Sequence, residues 1–171
     1  VIKIGTTGHR DLKNHDRADL KKNIRSALKK LKRGASRPVL LCSIASGADQ
    51  LCAQIALELG YELVCPLPFA EYRNDFHGGD KKNYDILLKK ASDSFIVSDS
   101  ADRDGAYLAA GKYIVQNCDV LLAVWDGRPQ QSICGTAAIV AYAKGLSKEI
   151  KIISGNQPKP AQRATRCKAG Q

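Results

Sequence analysis

The chain contains no methionine and one tryptophan, and its aromatic content is only 6%. The absence of Met and the Val1 start fit a domain excised from a longer protein or a processed form. No apolar stretch approaches the ~18 residues of a membrane-spanning helix. Val1 opens directly into an alternating segment, with none of the pattern of a secretory leader. None of the six cysteines forms a C-x-x-C pair or stands beside a histidine at zinc-ligand spacing, which disfavours a zinc site or a dithiol redox motif. Two common nucleotide signatures are also missing, the phosphate loop G-x-x-x-x-G-K-[ST] and the dinucleotide fingerprint G-x-G-x-x-G. An ordinary phosphate-loop enzyme or dehydrogenase is therefore disfavoured.

What is present suits one globular domain. The chain has 171 residues, of which 44% are hydrophobic and 26% charged. Net charge is +10 and unevenly spread. Between Arg10 and Arg37 stand 11 Lys/Arg against three Asp, and Lys159–Lys168 adds four more cations. That run also carries a clean apolar stripe, so a solvated helix face is favoured over a nucleic-acid surface. Cys42, Cys52, Cys65 and Cys118 fall in or beside apolar periodic segments and read as reduced core residues of a cytoplasmic protein.

Strand and helix signals alternate. Val1–Gly5 reads as a first strand. Asp16 caps a helix to about Arg33, with Leu20, Ile24, Ala27, Leu28 and Leu31 at helical spacing. Val39–Ser43 is a second strand, followed by a helix from Ser46 to about Leu59. Tyr61–Cys65 is a third strand, ended by Pro66 and Pro68. The polar stretch Phe69–Asp80 reads as a mobile loop over a site. Lys81–Ala91 and Ala106–Asn117 are helices, with a strand at Ser94–Val97 between them. Asp119–Trp125 is the most strand-like run, and a last helix and strand cover Gly135–Lys144 and Ile150–Ile153. This order predicts an α/β, Rossmann-like three-layer fold, a mainly parallel sheet flanked by helices. It divides the chain into a domain over 1–153 and a basic tail or linker over 154–171.

Three glycine-containing turns follow strands, where open α/β sheets bind ligands. They are Thr7-Gly8-His9-Arg10, Ser46-Gly47-Ala48-Asp49, and Asp126-Gly127 with Gly135-Thr136 at the next helix start. A helix start offers unpaired N–H groups and a positive dipole end, and glycine lets a phosphate approach the backbone. Arg10 adds a bidentate charged donor and Thr136 a hydroxyl.

These motifs resemble the SLOG superfamily, named for the DNA-processing protein DprA and the cytokinin-activating LOG enzymes. The branch starting T-G-H-R matches Thr7–Arg10, and its S-G-A-D turn matches Ser46–Asp49. Leu63–Phe69, Asp119–Gly127 and Gly135-Thr136-Ala137 match further segments, so the resemblance spans about residues 1–153. It implies a nucleotide-binding Rossmann-like domain. Gly135 and Thr136 would contact phosphate. Gly8, His9 and Arg10 would line the opposite side. Ser46, Gly47 and Asp49 would form the floor, with Asp49 meeting a ribose or ordering the turn. Asp126 would sit near ribose hydroxyls. LOG phosphoribohydrolases carry P-G-G-x-G-T-x-x-E with a catalytic Glu. Here the run is Gln131–Ile139, without the glycine pair and with Ile139 at the Glu position. An aliphatic side chain moves no proton, which disfavours LOG-type cleavage.

The leading expectation is a nucleotide-sensing domain, plausible for bacterial anti-phage or conflict systems, whose signal is an NAD-derived metabolite or a cyclic nucleotide. The basic tail then links to an attached effector. The alternatives are a nucleotide hydrolase, with Asp49, Asp126 or a loop carboxylate as its acid or base, and a DprA-like nucleic-acid-binding module. The resemblance implies a homo-oligomer. No metal and no cofactor beyond a nucleotide of unknown identity is implied. Phe69, Tyr72 and Phe76 serve equally well as a base-stacking platform or as packing, and Cys134 precedes a helix start that would stabilise a thiolate.

Overall fold

The computed structural model describes residues 1–13, 15–99, 102–129 and 134–154. The basic segment from 155 onward and the run 130–133 lie outside them. Six strands form one sheet in the order β4-β3-β2-β1-β5-β6, and all five pairings are parallel. They are β1 (Ile2–Gly8), β2 (Pro38–Leu41), β3 (Glu62–Leu67), β4 (Asp93–Ile96), β5 (Val120–Val124) and β6 (Glu149–Ile153). Five helices connect them: α1 (Arg17–Leu31), α2 (Ala48–Glu58), α3 (Gly78–Lys90), α4 (Arg103–Asn117) and α5 (Thr136–Gly145). This is the expected three-layer α/β architecture.

The apolar runs explain the layers. Every residue of β2 and β5 is buried, as expected of strands covered on both faces. Side chains alternate between two cores. Leu40, Leu122 and Val124 join Leu20, Ile24 and Leu28 of α1 and Leu51 and Ile55 of α2. Val39, Leu41 and Leu121 face Ile114 and Val115 of α4 and Ile139 and Ala143 of α5. Asp16 caps α1 as expected, accepting from the Ala18 and Asp19 amides. Cys42, Cys52, Cys65 and Cys118 are buried free thiols.

Element bounds match the expectations to within a few residues, with three instructive differences. First, β1 continues through Thr6, Thr7 and Gly8, which pair with Leu122, Ala123 and Val124. The first glycine turn therefore begins only at His9. Second, Pro66 lies inside β3, paired with Phe95, instead of ending it. Its carbonyl accepts from the Ser43 hydroxyl at 2.8 Å, on the side where β2 has already stopped at Leu41. The missing proline N–H falls on that same open side and costs no ladder bond. Third, Phe69–Asp80 is not a mobile loop. A 3-10 turn (Ala70–Asp75) leads almost directly into α3. Phe69, Tyr72 and Phe76 are buried, so packing holds the segment down.

Candidate functional site

The strand order reverses direction at β1. Strands β2, β3 and β4 lie on one side and β5 and β6 on the other, so the crevice beyond the β1 and β5 carboxyl ends is the topological switch point. A cleft of about 500 Å³ opens there. Four expected residues from the end of β1 line it, Thr7, Gly8, His9 and Arg10. Asp49 from α2 and Gly135 and Thr136 from the start of α5 also line it.

Ser46, Gly47, Asp126 and Gly127 are not on the cleft wall. Gly47 instead shapes it from behind. Its φ is +82°, and a Cβ there would overlap the backbone carbonyls of His9 and Arg10. The Ala48 amide then donates to the His9 carbonyl at 3.0 Å, which fixes the two loops together. Gly8 does the same for the helix: a Cβ on it would meet the Ala48 Cβ at 2.5 Å. Asp126 closes the top of the switch point. Its Oδ1 lies 3.2 Å from His9 Nε2, and its backbone N–H lies 3.3 Å from the same nitrogen. A protonated Nε2 donates to the carboxylate, and an unprotonated one accepts from the amide. The Arg128 amide, with His9, holds the Asp126 carboxyl below the usual carboxylate range.

The site's electrostatics favour an anion at one end. α1 and α4 start with aspartates whose side chains cap their amides. α2 and α5 start instead with Gly47 and Gly135 and have no side-chain cap. No acidic residue stands in the first turn of α5. Arg10 is exposed and has no carboxylate within ion-pair distance among the described residues. Its guanidinium rests 4.4 Å from the centre of the Tyr107 ring.

Tyr107 was not legible in the sequence as a site residue. It belongs to an aromatic cluster with Phe69 and Tyr72, which continues to Phe76 and Tyr84. Its hydroxyl donates to Asp75, which Arg103 also grips. The segment expected to be a lid is thus the buttress behind Arg10. The concentration of aromatics in a chain otherwise poor in them was the available signal. Gly111 and Asp104 of α4 were missed too. Gly111 exists because a Cβ there would run into the Ile139 side chain. Cys134 lies on the wall, with its Sγ 3.7 Å from Asp104 Oδ1.

At the floor, Asp49 is 7% exposed, and burial raises its carboxyl to about 7, partly offset by the Ala45 backbone and the charge of Arg10. Ile139, at the position of the LOG glutamate, is buried in the wall beside Gly111. The cleft can therefore hold a phosphate at Arg10 and the α5 start, and a neutral polar group at Asp49.

No protein-family model matches the sequence, and no curated protein matches it. Solved structures do resemble the fold. DNA processing protein A from Helicobacter pylori, studied for its single-stranded DNA binding mode, superposes with a TM-score of 0.61 at 16% identity. The match covers 94% of this chain and 67% of that one. The same protein from Streptococcus pneumoniae gives 0.60 at 14% identity, covering 95% of this chain and 52% of that one. The Moco carrier protein from Chlamydomonas reinhardtii gives 0.52 at 18% identity, covering 90% and 76%. This chain spans only about half the length of the pneumococcal protein. It has the Rossmann-like α/β fold that these structures share.

Proposed function

We propose that the chain binds a nucleotide or nucleotide-derived small molecule in the switch-point cleft and acts as a ligand-sensing domain. The observation that carries this reading is Arg10. It is an arginine with no carboxylate within ion-pair distance among the described residues, held by a tyrosine at the mouth of a cleft into which an uncapped helix opens. The phosphate lies against the Gly135 amide, the Thr136 amide and hydroxyl, and Arg10. Ile139 supports sensing over LOG-type turnover, because it supplies no acid or base. Control of an attached effector in a bacterial anti-phage or conflict system is the finer form of the proposal, and it rests on the T-G-H-R and S-G-A-D resemblance.

The test is thermal stability with AMP, ADP, ATP, GTP, NAD, ADP-ribose and cyclic mono- and dinucleotides. A ligand at 100 times its Kd adds about 2.7 kcal/mol, a shift of several degrees for a domain of this size. The shift is expected to disappear in Arg10→Ala and Thr136→Ala. Chromatography of the same mixtures separates binding from hydrolysis. No shift with any compound would remove the reading.

A second reading has its own support. The DprA fold match and the exposed cations Lys21, Lys22, Lys29 and Lys30 of α1 favour single-stranded nucleic acid as the partner. Its mark is affinity for an oligonucleotide that falls steeply with salt, weakened by charge reversal on α1 and not by Thr136→Ala.

A further inference from the structure

A second hollow, of about 500 Å³, lies behind the loop that carries Arg10 and is walled by that loop, α2 and α3. Arg10 lines both this hollow and the switch-point cleft. The partition between them is thin. His9 lines the cleft and His15 the hollow, and their rings stack with centres 5.9 Å apart. The wall is also fixed in place. Buried Gln50 lines the hollow, and its Nε2 donates to the Asp80 carbonyl at 3.0 Å, which ties α2 to α3.

Three further polar side chains line the hollow, Gln54 of α2 and Asp80 and Asn83 of α3. Asp80 and Asn83 stand three residues apart on one helix and so share a face. Among the described residues, none of the three side chains makes a hydrogen bond or an ion pair. A carboxylate only accepts, and a primary amide both donates and accepts. Such a set matches the edge of a nucleobase, which carries several donors and acceptors in one plane. The bases differ in what they show a carboxylate. Guanine presents two adjacent donors, N1–H and the 2-amino group, one for each carboxylate oxygen. Adenine presents the N1 lone pair beside its 6-amino group, and a carboxylate repels that lone pair. Resting on the nucleotide reading above, we infer that this hollow is the base subsite of the ligand and selects guanine, with the phosphate at Arg10 where hollow and cleft adjoin. Asp80 accepts from N1–H and the 2-amino group, and the amides of Gln54 and Asn83 donate to the O6 and N7 acceptors.

The experiment is equilibrium binding of GDP, IDP and ADP, with pyrophosphate as a probe of the phosphate end. IDP lacks only the 2-amino group of GDP. Sites built to hydrogen-bond a group strongly reject analogues that lack it. GDP should bind about 10-fold or more tightly than ADP, with IDP between them. Asp80→Asn, which keeps size, should bring the GDP-to-ADP ratio close to one. Gln54→Leu, on the other helix, should shrink the ratio as well, and it decides the matter if Asp80→Asn disturbs the start of α3. Pyrophosphate reports on the phosphate end alone, and a merely structural effect would weaken it together with the nucleotides. A guanine preference that survives both substitutions would put the base elsewhere and overturn the inference. Equal affinity for GDP and ADP, or a preference for ADP, would overturn it and leave the nucleotide reading standing. No binding of any nucleotide or of pyrophosphate would overturn both.

Discussion

Gly47 and Arg10 interlock through backbone alone: a Cβ on Gly47 would occupy the space of the Arg10 carbonyl oxygen. The first and second glycine turns are therefore one structure, in which the start of α2 carries the loop that aims Arg10 into the cleft. Gly47→Ala meets both this overlap and a left-handed φ of +82°. It should cost about 2 kcal/mol or more, roughly 4–8 °C in Tm for a domain of this size. It should also weaken ligand binding, since the loop carrying His9 and Arg10 must move. A calorimetric scan reads the first effect. An unchanged Tm would show that the two loops are not locked.

Stability should fall as pH rises from about 4 to about 7. In the folded chain the Asp49 carboxyl keeps its proton up to about 7, whereas an exposed carboxyl releases it near 3.8. Between those values the folded state holds more protons than the unfolded one, so the slope of unfolding free energy with pH is negative. The full effect is on the order of 4 kcal/mol. Arg10, Cys42, Cys52, Cys65 and Tyr72 are the charged or titratable groups coupled to this carboxyl. Urea unfolding at pH 5 and pH 8 measures the difference. Asp49→Asn should largely flatten it, and an unchanged slope in that variant would assign the effect elsewhere.

Gly111 and Ile139 should show energetic coupling. Gly111→Ala drives a methyl into the Ile139 side chain and should cost about 1–3 kcal/mol. Ile139→Val should cost about 1 kcal/mol alone. The double variant should lie well below the sum, because the shortened side chain makes the space that the new methyl needs. Additive values would mean that the backbone of α4 or α5 moves instead.

Tyr61 anchors α1 to the loop before β3. Its buried hydroxyl donates to the Leu28 carbonyl at 2.7 Å. Tyr61→Phe leaves that carbonyl with the Lys32 amide alone and should cost about 0.5–1.5 kcal/mol in denaturant unfolding, with ligand binding unaffected. A change in binding of ligand would contradict its placement away from the cleft.

Much of the fold was legible because it follows local rules. The helical spacing of Leu20, Ile24 and Leu28 with Asp16 ahead of them predicted α1 and its cap. The unbroken apolar runs of β2 and β5 predicted strands covered on both sides. The glycine turns marked the edge of the sheet where a cleft opens, since the end of β1 and the start of α5 meet there. Local rules failed where a neighbour decided. Pro66 reads as a strand breaker, yet β2 ends before reaching it, so its missing donor costs nothing. Phe69–Asp80 reads as a polar loop, yet Tyr72 and Phe76 find Tyr84 and Tyr107 and are drawn inward.

The amino-acid sequence by itself determined the alternation of strands and helices, the parallel sheet and the end of it where the glycine turns gather, because periodicity and turn chemistry act within a few residues. Only the tertiary structure decided that Asp126 turns to His9, that Tyr107 supports Arg10, and that Thr6 and Asp49 meet at a buried floor. Each of those relationships joins residues far apart in the chain, and their meeting depends on strand order and helix packing, which no local pattern encodes.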